Sequence, residues 1–314
     1  MRNFLTKSIQ FICFAALFYA ANLLIWERYF PAELTPNANY KIGSYGHMNT
    51  RVKEIPSYHD VDILILGSSH AYRGFDPRMF AEDGLRVFNL GSSAQTPIQT
   101  KVLLKRYLED LNPKLILYEV YPGTFTSDGV ESALDILAND RNDLFSIQMA
   151  LKINNIKVYN TLIYGVFNDI LSLDRDFIEA KTIGSDTYIE GGFVEKTVAT
   201  NEEAPNFSPR VWNLEQYQLT AFEDILASLE EKGIKVALIQ APITANRYQA
   251  YLNSGEIDAY FRQFGDYYNF NELISLSDQE HFYDDHHLNQ SGVEIFNQAL
   301  LEILDADGFF NFKK

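Results

Sequence analysis

The chain has 314 residues, 46% of them hydrophobic and 14% aromatic, which is ample for a large packed core and unlike a disordered segment. A formal net charge of −16 without any basic cluster excludes a nucleic-acid partner, because neutralising phosphate backbones takes grouped Lys and Arg. The single cysteine, Cys13, rules out an intrachain disulfide and leaves the redox compartment undefined.

In chain order, the first signal is residues 9–26, an uncharged apolar run preceded by Arg2 and Lys7 and closed by Trp26, Glu27 and Arg28. It is long enough to cross a bilayer, so residues 1–28 are expected to form an amino-terminal membrane anchor, with membrane contact through residues 4–26. A cleaved signal peptide is the competing reading. Against it, bulky Phe18 and Tyr19 stand near Ala20 and Ala21 where a small residue is wanted. Gln10-Phe11-Ile12 ahead of Cys13 is equally unsuited to a lipoprotein signal. The basic residues before the segment predict a cytoplasmic amino terminus. Everything after Arg28 is then expected on the extracytoplasmic side, periplasmic or outer face, of a cytoplasmic membrane crossed once. Residues 29–56, rich in Asn, Tyr, Gly and Pro, read as a linker or stalk, or as an extended segment laid on the domain.

A folded domain is expected over 57–314. Ile63-Leu64-Ile65-Leu66 is apolar on both faces, as a strand covered from both sides must be, and Gly67 ends it. Similar strands are predicted over 86–90 and 115–120. Between them lie a short helix opened by Asp76-Pro77 and a longer one opened by Thr96-Pro97 and stopped by Asn112-Pro113. Strand and helix in alternation predict a parallel sheet between two helical layers, a three-layer α/β/α flavodoxin-like domain. The alternation lapses over 123–210, an insertion longer than a crossover needs, with a helical stretch at 153–173 and a turn at Gly191-Gly192. It returns with a helix over 214–232, a strand over 236–240, a helical stretch over 245–264, a short strand at 267–270 and a closing helix over 293–304.

Ligands in such folds gather at the carboxyl ends of the strands. Ser69 emerges there, next to the start of a helix whose amides favour a developing anion, although glycine and serine after a strand are also ordinary turn chemistry. Asp284-Asp285-His286-His287 precedes the last helix at the same edge of the sheet. A serine nucleophile needs an imidazole to take its proton and a carboxylate to hold that imidazole's tautomer. Ser69, His287 and Asp284 supply all three. Asp285 and His286 are secondary candidates, since the pairs 284 with 287, 285 with 287, and 284 with 286 are all open from spacing. No metal site is expected, because consecutive side chains point apart, and no cofactor. Neither G-x-G-x-x-G nor a P-loop follows the first strand. The serine also sits outside the G-x-S-x-G setting of α/β-hydrolases, since Ala71 replaces the last glycine. His70 and Arg73 read as ordinary solvated neighbours, with Arg73 paired to a carboxylate such as Asp76. The aromatic residues Tyr159, Tyr164, Phe167 and Phe177 read as core rather than as a sugar platform.

Gly67-Ser68-Ser69, Asn89-Leu90-Gly91 and Asp284-x-x-His287-Leu288-Asn289 followed by Gly292 resemble, in order, three blocks of the SGNH hydrolase-like family. Ser68 stands where many members carry Asp. The layout resembles a membrane-anchored branch related to the D-alanyl-lipoteichoic acid transfer protein and to alginate O-acetylation proteins. The resemblance implies Ser69, Asp284 and His287 as the catalytic triad, with Leu288 and Asn289 singling out His287. It implies the Ser69 and Gly91 amides as the oxyanion hole, with Asn89 beside them. It also implies a cell-envelope glycan or an acyl donor as the substrate, a membrane-bound O-acyltransferase as a partner, and esterase or acyl-transfer chemistry. The family's third block contributes an Asn to the oxyanion hole. Here that place reads Glu119-Val120-Tyr121-Pro122-Gly123, and losing one such donor costs on the order of a hundredfold in rate. The insertion is expected to cover the Ser69 edge and select the acceptor, with a docking role on the far side as the alternative.

Overall fold

The computed structural model describes residues 1–31, 34–43, 46–196 and 206–313. Parts of the expected stalk (32–33, 44–45), residues 197–205 of the insertion and Lys314 lie outside the described residues. The chain opens with α1 (Arg2–Tyr29), none of whose residues is buried and which is long and apolar enough to cross a membrane. After α2 (Met48–Glu54) come β1 (Ile63–Leu66), α3 (Ser69–Gly74), α4 (Pro77–Glu82), β2 (Val87–Asn89), α5 (Pro97–Leu111) and β3 (Leu115–Glu119). The insertion holds α6 (Pro122–Phe125), α7 (Val130–Asn139), α8 (Leu144–Ile153) and α9 (Ile156–Leu171). It also holds a small antiparallel sheet, β4 (Thr182–Ile183), β5 (Asp186–Ile189) and β6 (Phe193–Lys196). The chain closes with α10 (Gln216–Glu231), β7 (Lys235–Gln240), α11 (Ala245–Gln249), α12 (Ser254–Phe261), β8 (Tyr267–Asn269), α13 (Phe270–Leu273) and α14 (Gln290–Ala306).

The main sheet is fully parallel, in the order β2-β1-β3-β7-β8. Counting only its own strands this is 2-1-3-4-5, the flavodoxin-like order, whose direction reverses beside the first strand. Alternate strand residues serve opposite faces. Leu64, Leu66, Ile116 and Tyr118 pack under α5, α7 and α10, whereas Ile63, Ile65, Leu115 and Leu117 meet Phe75, Phe80 and the Phe296–Leu300 face of α14. All four β1 side chains are wholly buried, at about 2 kcal/mol apiece, so β1 has no solvent face to spare. The three-layer α/β/α class stands as read from the sequence.

Three expectations are corrected. The residues assigned to a stalk include α2, and Met48, Arg51 and Ile55 are buried, so the packed body begins ahead of Ser57. The stretch 245–264 is two helices with a break at 250–253. There Arg210 exchanges backbone hydrogen bonds with Ala250 and Leu252, and the Asn253 side chain bonds Trp212. Arg73 pairs with Asp186 of β5 at 2.8 Å, not with Asp76, which caps α4 and holds Arg78.

Candidate active site

β1 delivers its carboxyl end to Gly67, whose φ of 138° lies outside the range that L side chains favour. A Cβ there would sit 2.7 Å from the Glu119 Cβ. The chain then turns on Ser68, the N-cap of α3, whose hydroxyl accepts from the His70 amide at 3.3 Å. Ser69 is thereby the first residue of the helix, where its amide has no intrahelical acceptor and its side chain faces out of the sheet.

The partners come from the other end of the chain. The loop before α14 is pinched by an antiparallel bridge between Phe282 and Leu288, with the Tyr283 amide donating to the His287 carbonyl at 3.2 Å. Inside the pinch, Asp284 Oδ1 accepts from the amides of His286 at 2.9 Å and His287 at 2.7 Å, an Asx turn that holds the carboxylate under the ring. Asn289 then caps α14 through the Gly292 amide. The result is a line of hydrogen bonds, Asp284 Oδ2 to His287 Nδ1 at 2.8 Å and His287 Nε2 to Ser69 Oγ at 2.8 Å.

Burial opposes ionisation of both members and the pair responds unequally. Desolvation lowers the His287 ring to about 4 despite the opposing hydrogen bond it donates to Asp284, so the imidazole is neutral at physiological pH and free to take a proton. Asp284 is also penalised by burial, but the hydrogen bond and charge of His287 hold it below the usual carboxylate range. Tyr283 stacks on the His287 ring with centroids 5.5 Å apart.

Asp285 and His286 pair with each other, and Asp285 is also gripped by Arg247, which reaches the Tyr121 hydroxyl at 3.3 Å. This second pair lies beside the Asp284–His287–Ser69 line, and among the described residues Ser69 Oγ bonds only His287. Asp284, His286 and His287 are close enough to hold a cation, but both ring nitrogens of His287 are already engaged.

The oxyanion side is built differently. Gly91 lies near α3, and a Cβ on it would meet Ala71 and the Ser68 carbonyl at 3.0 Å. Its N–H, however, donates to Asn89 Oδ1 at 3.1 Å, and the Asn89 amide in turn holds the Ala71 carbonyl at 2.8 Å. Asn89 thus braces the turn and occupies the donor assigned to the oxyanion hole. That leaves the Ser69 amide.

Sequence reasoning missed a buried chain of hydrogen-bonding groups behind Ser69. Glu119 Oε2 accepts from the Ser68 amide at 3.3 Å and hydroxyl at 3.1 Å, and Ser68 Oγ lies 3.2 Å from His70 Nδ1. Burial raises Glu119 to about 8, keeping it protonated at neutral pH, and holds His70 neutral, well below its ordinary value. His70 is therefore no solvated neighbour. It is sealed in the wall, its ring 4.1 Å from Tyr121 and 5.0 Å from His287. No local signal marked it, since a single His after a turn carries no burial pattern.

Ser69 and His287 open into a cavity of about 550 Å³. Part of its wall is aromatic: Tyr121 meets Trp212 edge-on, and Trp212 stacks flat on Tyr251 at 3.5 Å. Gly123, Thr124, Thr126, Ser127 and Glu131 at the start of the insertion form the rim, and β5 is tied to α3 by Asp186 and Arg73. The start of the insertion and its small sheet thus share the Ser69 edge. Farther on, Tyr164 is buried whereas Phe167 is exposed, a split of the expected aromatic core.

No family model matches the sequence, and no curated protein matches it significantly. Among solved structures, the chain overlays on a protein described as an acylhydrolase from Bacteroides fragilis, at 10% identity and a TM-score of 0.43, over 84% of this chain and 98% of that one. It also overlays on a GDSL-like lipase from Bacteroides thetaiotaomicron, at 12% identity and a TM-score of 0.42, over 83% and 98%. Likeness at that level carries neither residues nor activity from either protein to this chain.

Proposed function

We propose that the chain is a membrane-anchored, extracytoplasmic serine acyl-transfer enzyme of the SGNH type, an esterase or O-acyltransferase acting on a cell-envelope glycan. The observation that carries this reading is the Asp284–His287–Ser69 line with both hydrogen bonds at 2.8 Å. Ser69 Oγ attacks the ester carbonyl while its proton passes to His287 Nε2. The imidazolium is steadied by Asp284, and the oxyanion forms at the Ser69 amide. Collapse expels the alcohol, which takes the proton from His287 and leaves an acyl ester on Ser69. A sugar hydroxyl or water then gives its proton to His287 and takes the acyl group, restoring Ser69. The cavity beside Ser69 and His287 has room for an acyl donor and an acceptor, with Tyr121, Trp212 and Tyr251 forming part of its wall.

The test is covalent labelling of the full-length protein in detergent with a fluorophosphonate. Mass spectrometry is expected to find the adduct on Ser69, and Ser69→Ala is expected to abolish it. Equal labelling of the alanine variant would falsify covalent catalysis by this serine.

A second reading is favoured by one observation, the Gly91 amide committed to Asn89 in a site that also lacks the third-block Asn. In it the fold is a weak or inactive scaffold that recruits a membrane-bound O-acyltransferase. Under that reading Ser69 stays unlabelled while the partner co-purifies.

A further inference from the structure

Exposed large apolar side chains are scattered over most of the molecule outside α1, but they concentrate in the α8–α9 hairpin. Leu144, Ile147 and Leu151 lie on one face of α8 at helical spacing, the first and last 63% exposed, and Ile156 at the start of α9 is 55% exposed. An isolated exposed leucine needs no explanation, but a contiguous stripe does.

The hairpin's place beside α1 supplies one. Tyr19 donates its hydroxyl to Asn160 of α9 at 2.6 Å, and Ile156 shares a cleft with Tyr19, Leu23 and Trp26. One turn of α9 later, Tyr164 meets Arg28. The contacts climb α1 and α9 together, so the α8–α9 turn lies level with Tyr19, about 10 Å along α1 from Trp26, at 1.5 Å per residue. If α1 spans a membrane with Trp26 at the interface, that level is inside the acyl boundary. We infer that the α8–α9 turn is seated in the leaflet crossed by the carboxyl-terminal half of α1. Leu151 and Ile156 lie among acyl chains, and Lys152 and Lys157 snorkel to anionic lipid phosphates. This rests on the membrane-anchor reading of α1. The seat fixes the domain close to the bilayer surface, as an enzyme working on membrane-proximal glycan needs.

The same geometry limits the seat. Ile170 is exposed but lies more than a turn beyond Tyr164, away from the membrane. The experiment is depth quenching on the full chain in vesicles of phosphatidylcholine and phosphatidylglycerol. Cys13→Ser serves as background, with an environment-sensitive fluorophore on single cysteines introduced by Leu17→Cys, Leu151→Cys, Ile156→Cys, Ile170→Cys and Ile295→Cys. All five side chains are exposed, so none of the substitutions opens the core. Nitroxide on the lipid acyl chains is expected to quench positions 17, 151 and 156 several-fold more than 170 and 295. Quenching at 17 with 151 and 156 no better than 295 overturns the seat and leaves the anchor standing. An unquenched 17 removes the anchor and the seat together. Position 151 shielded in native membranes yet open to a water-soluble quencher in vesicles means a protein covers it, and this also overturns the inference.

Discussion

On one side of Ser69 both hydrogen bonds of the proposed triad are in place, whereas on the other the Gly91 amide, expected as an oxyanion donor, is committed to Asn89. The first side is assembled from one short loop with its own Asx turn, so its geometry is nearly self-contained. The second is assembled from β2, α3 and β3, where Asn89 takes the Gly91 amide and holds the Ala71 carbonyl while Glu119 holds the Ser68 amide and hydroxyl behind the turn. Stabilising a turn and leaving donors free are opposing demands.

The comparison is broken most sharply at the base. His287→Ala is expected to lower kcat/KM toward a small activated ester by about 10³-fold or more, and His286→Ala to leave most activity, because only His287 reaches Ser69. The parent should show a single acid limb as pH falls through about 4, where His287 takes up its proton, and a level rate from there to neutrality. The reverse pattern between the two histidines would move the triad by one residue.

A smaller effect is expected at Glu119. Its pKa is raised from 4.5 in the unfolded chain to about 8 in the fold, so both states carry the proton in acid and no penalty applies there. As pH rises above 4.5 the unfolded chain releases its proton while the fold keeps it, and stability drains away until about pH 8. Glu119→Gln keeps an acceptor for Ser68 and cannot ionise. Its advantage over the parent in urea unfolding should grow by on the order of a few kcal/mol across that window. A constant difference would mean that Glu119 is already ionised in the fold.

The smallest effect belongs to the rim. Glu131 lines the cavity and accepts from the Ser93 hydroxyl at 3.0 Å, outside the line of reacting groups. Glu131→Lys is expected to change preference among sugar acceptors severalfold while leaving hydrolysis of a small ester nearly intact. Equal loss on both substrates would show the rim to be part of the nucleophile's support.

Much of this site was legible in the chain. An apolar run of four followed by glycine and serine marks a buried strand and its turn, and Asp and His three residues apart mark a loop able to close on itself. These patterns are written within a few residues of one another, where covalent geometry and period decide the outcome. The small sheet β4–β6 escaped because its strands are short and both residues of the first are exposed, so no alternation was left to read. The break in the helix at 250–253 escaped because its cause, Arg210 and Trp212, lies about forty residues earlier in the sequence.

By itself the sequence determined the parallel three-layer architecture, the apolar first helix, and the serine, aspartate and histidine at one edge of the sheet. Spacing left the histidine open and the family resemblance named His287; the tertiary structure sets its Nε2 2.8 Å from Ser69 Oγ, seals His70 and Glu119 behind the serine, and commits the Gly91 amide to Asn89. Burial and the choice of hydrogen-bond partner are set by atoms from distant parts of the chain. Ser69 and His287 are 218 positions apart and Ser68 and Glu119 are 51 apart, so no window of local pattern contains both members of either pair.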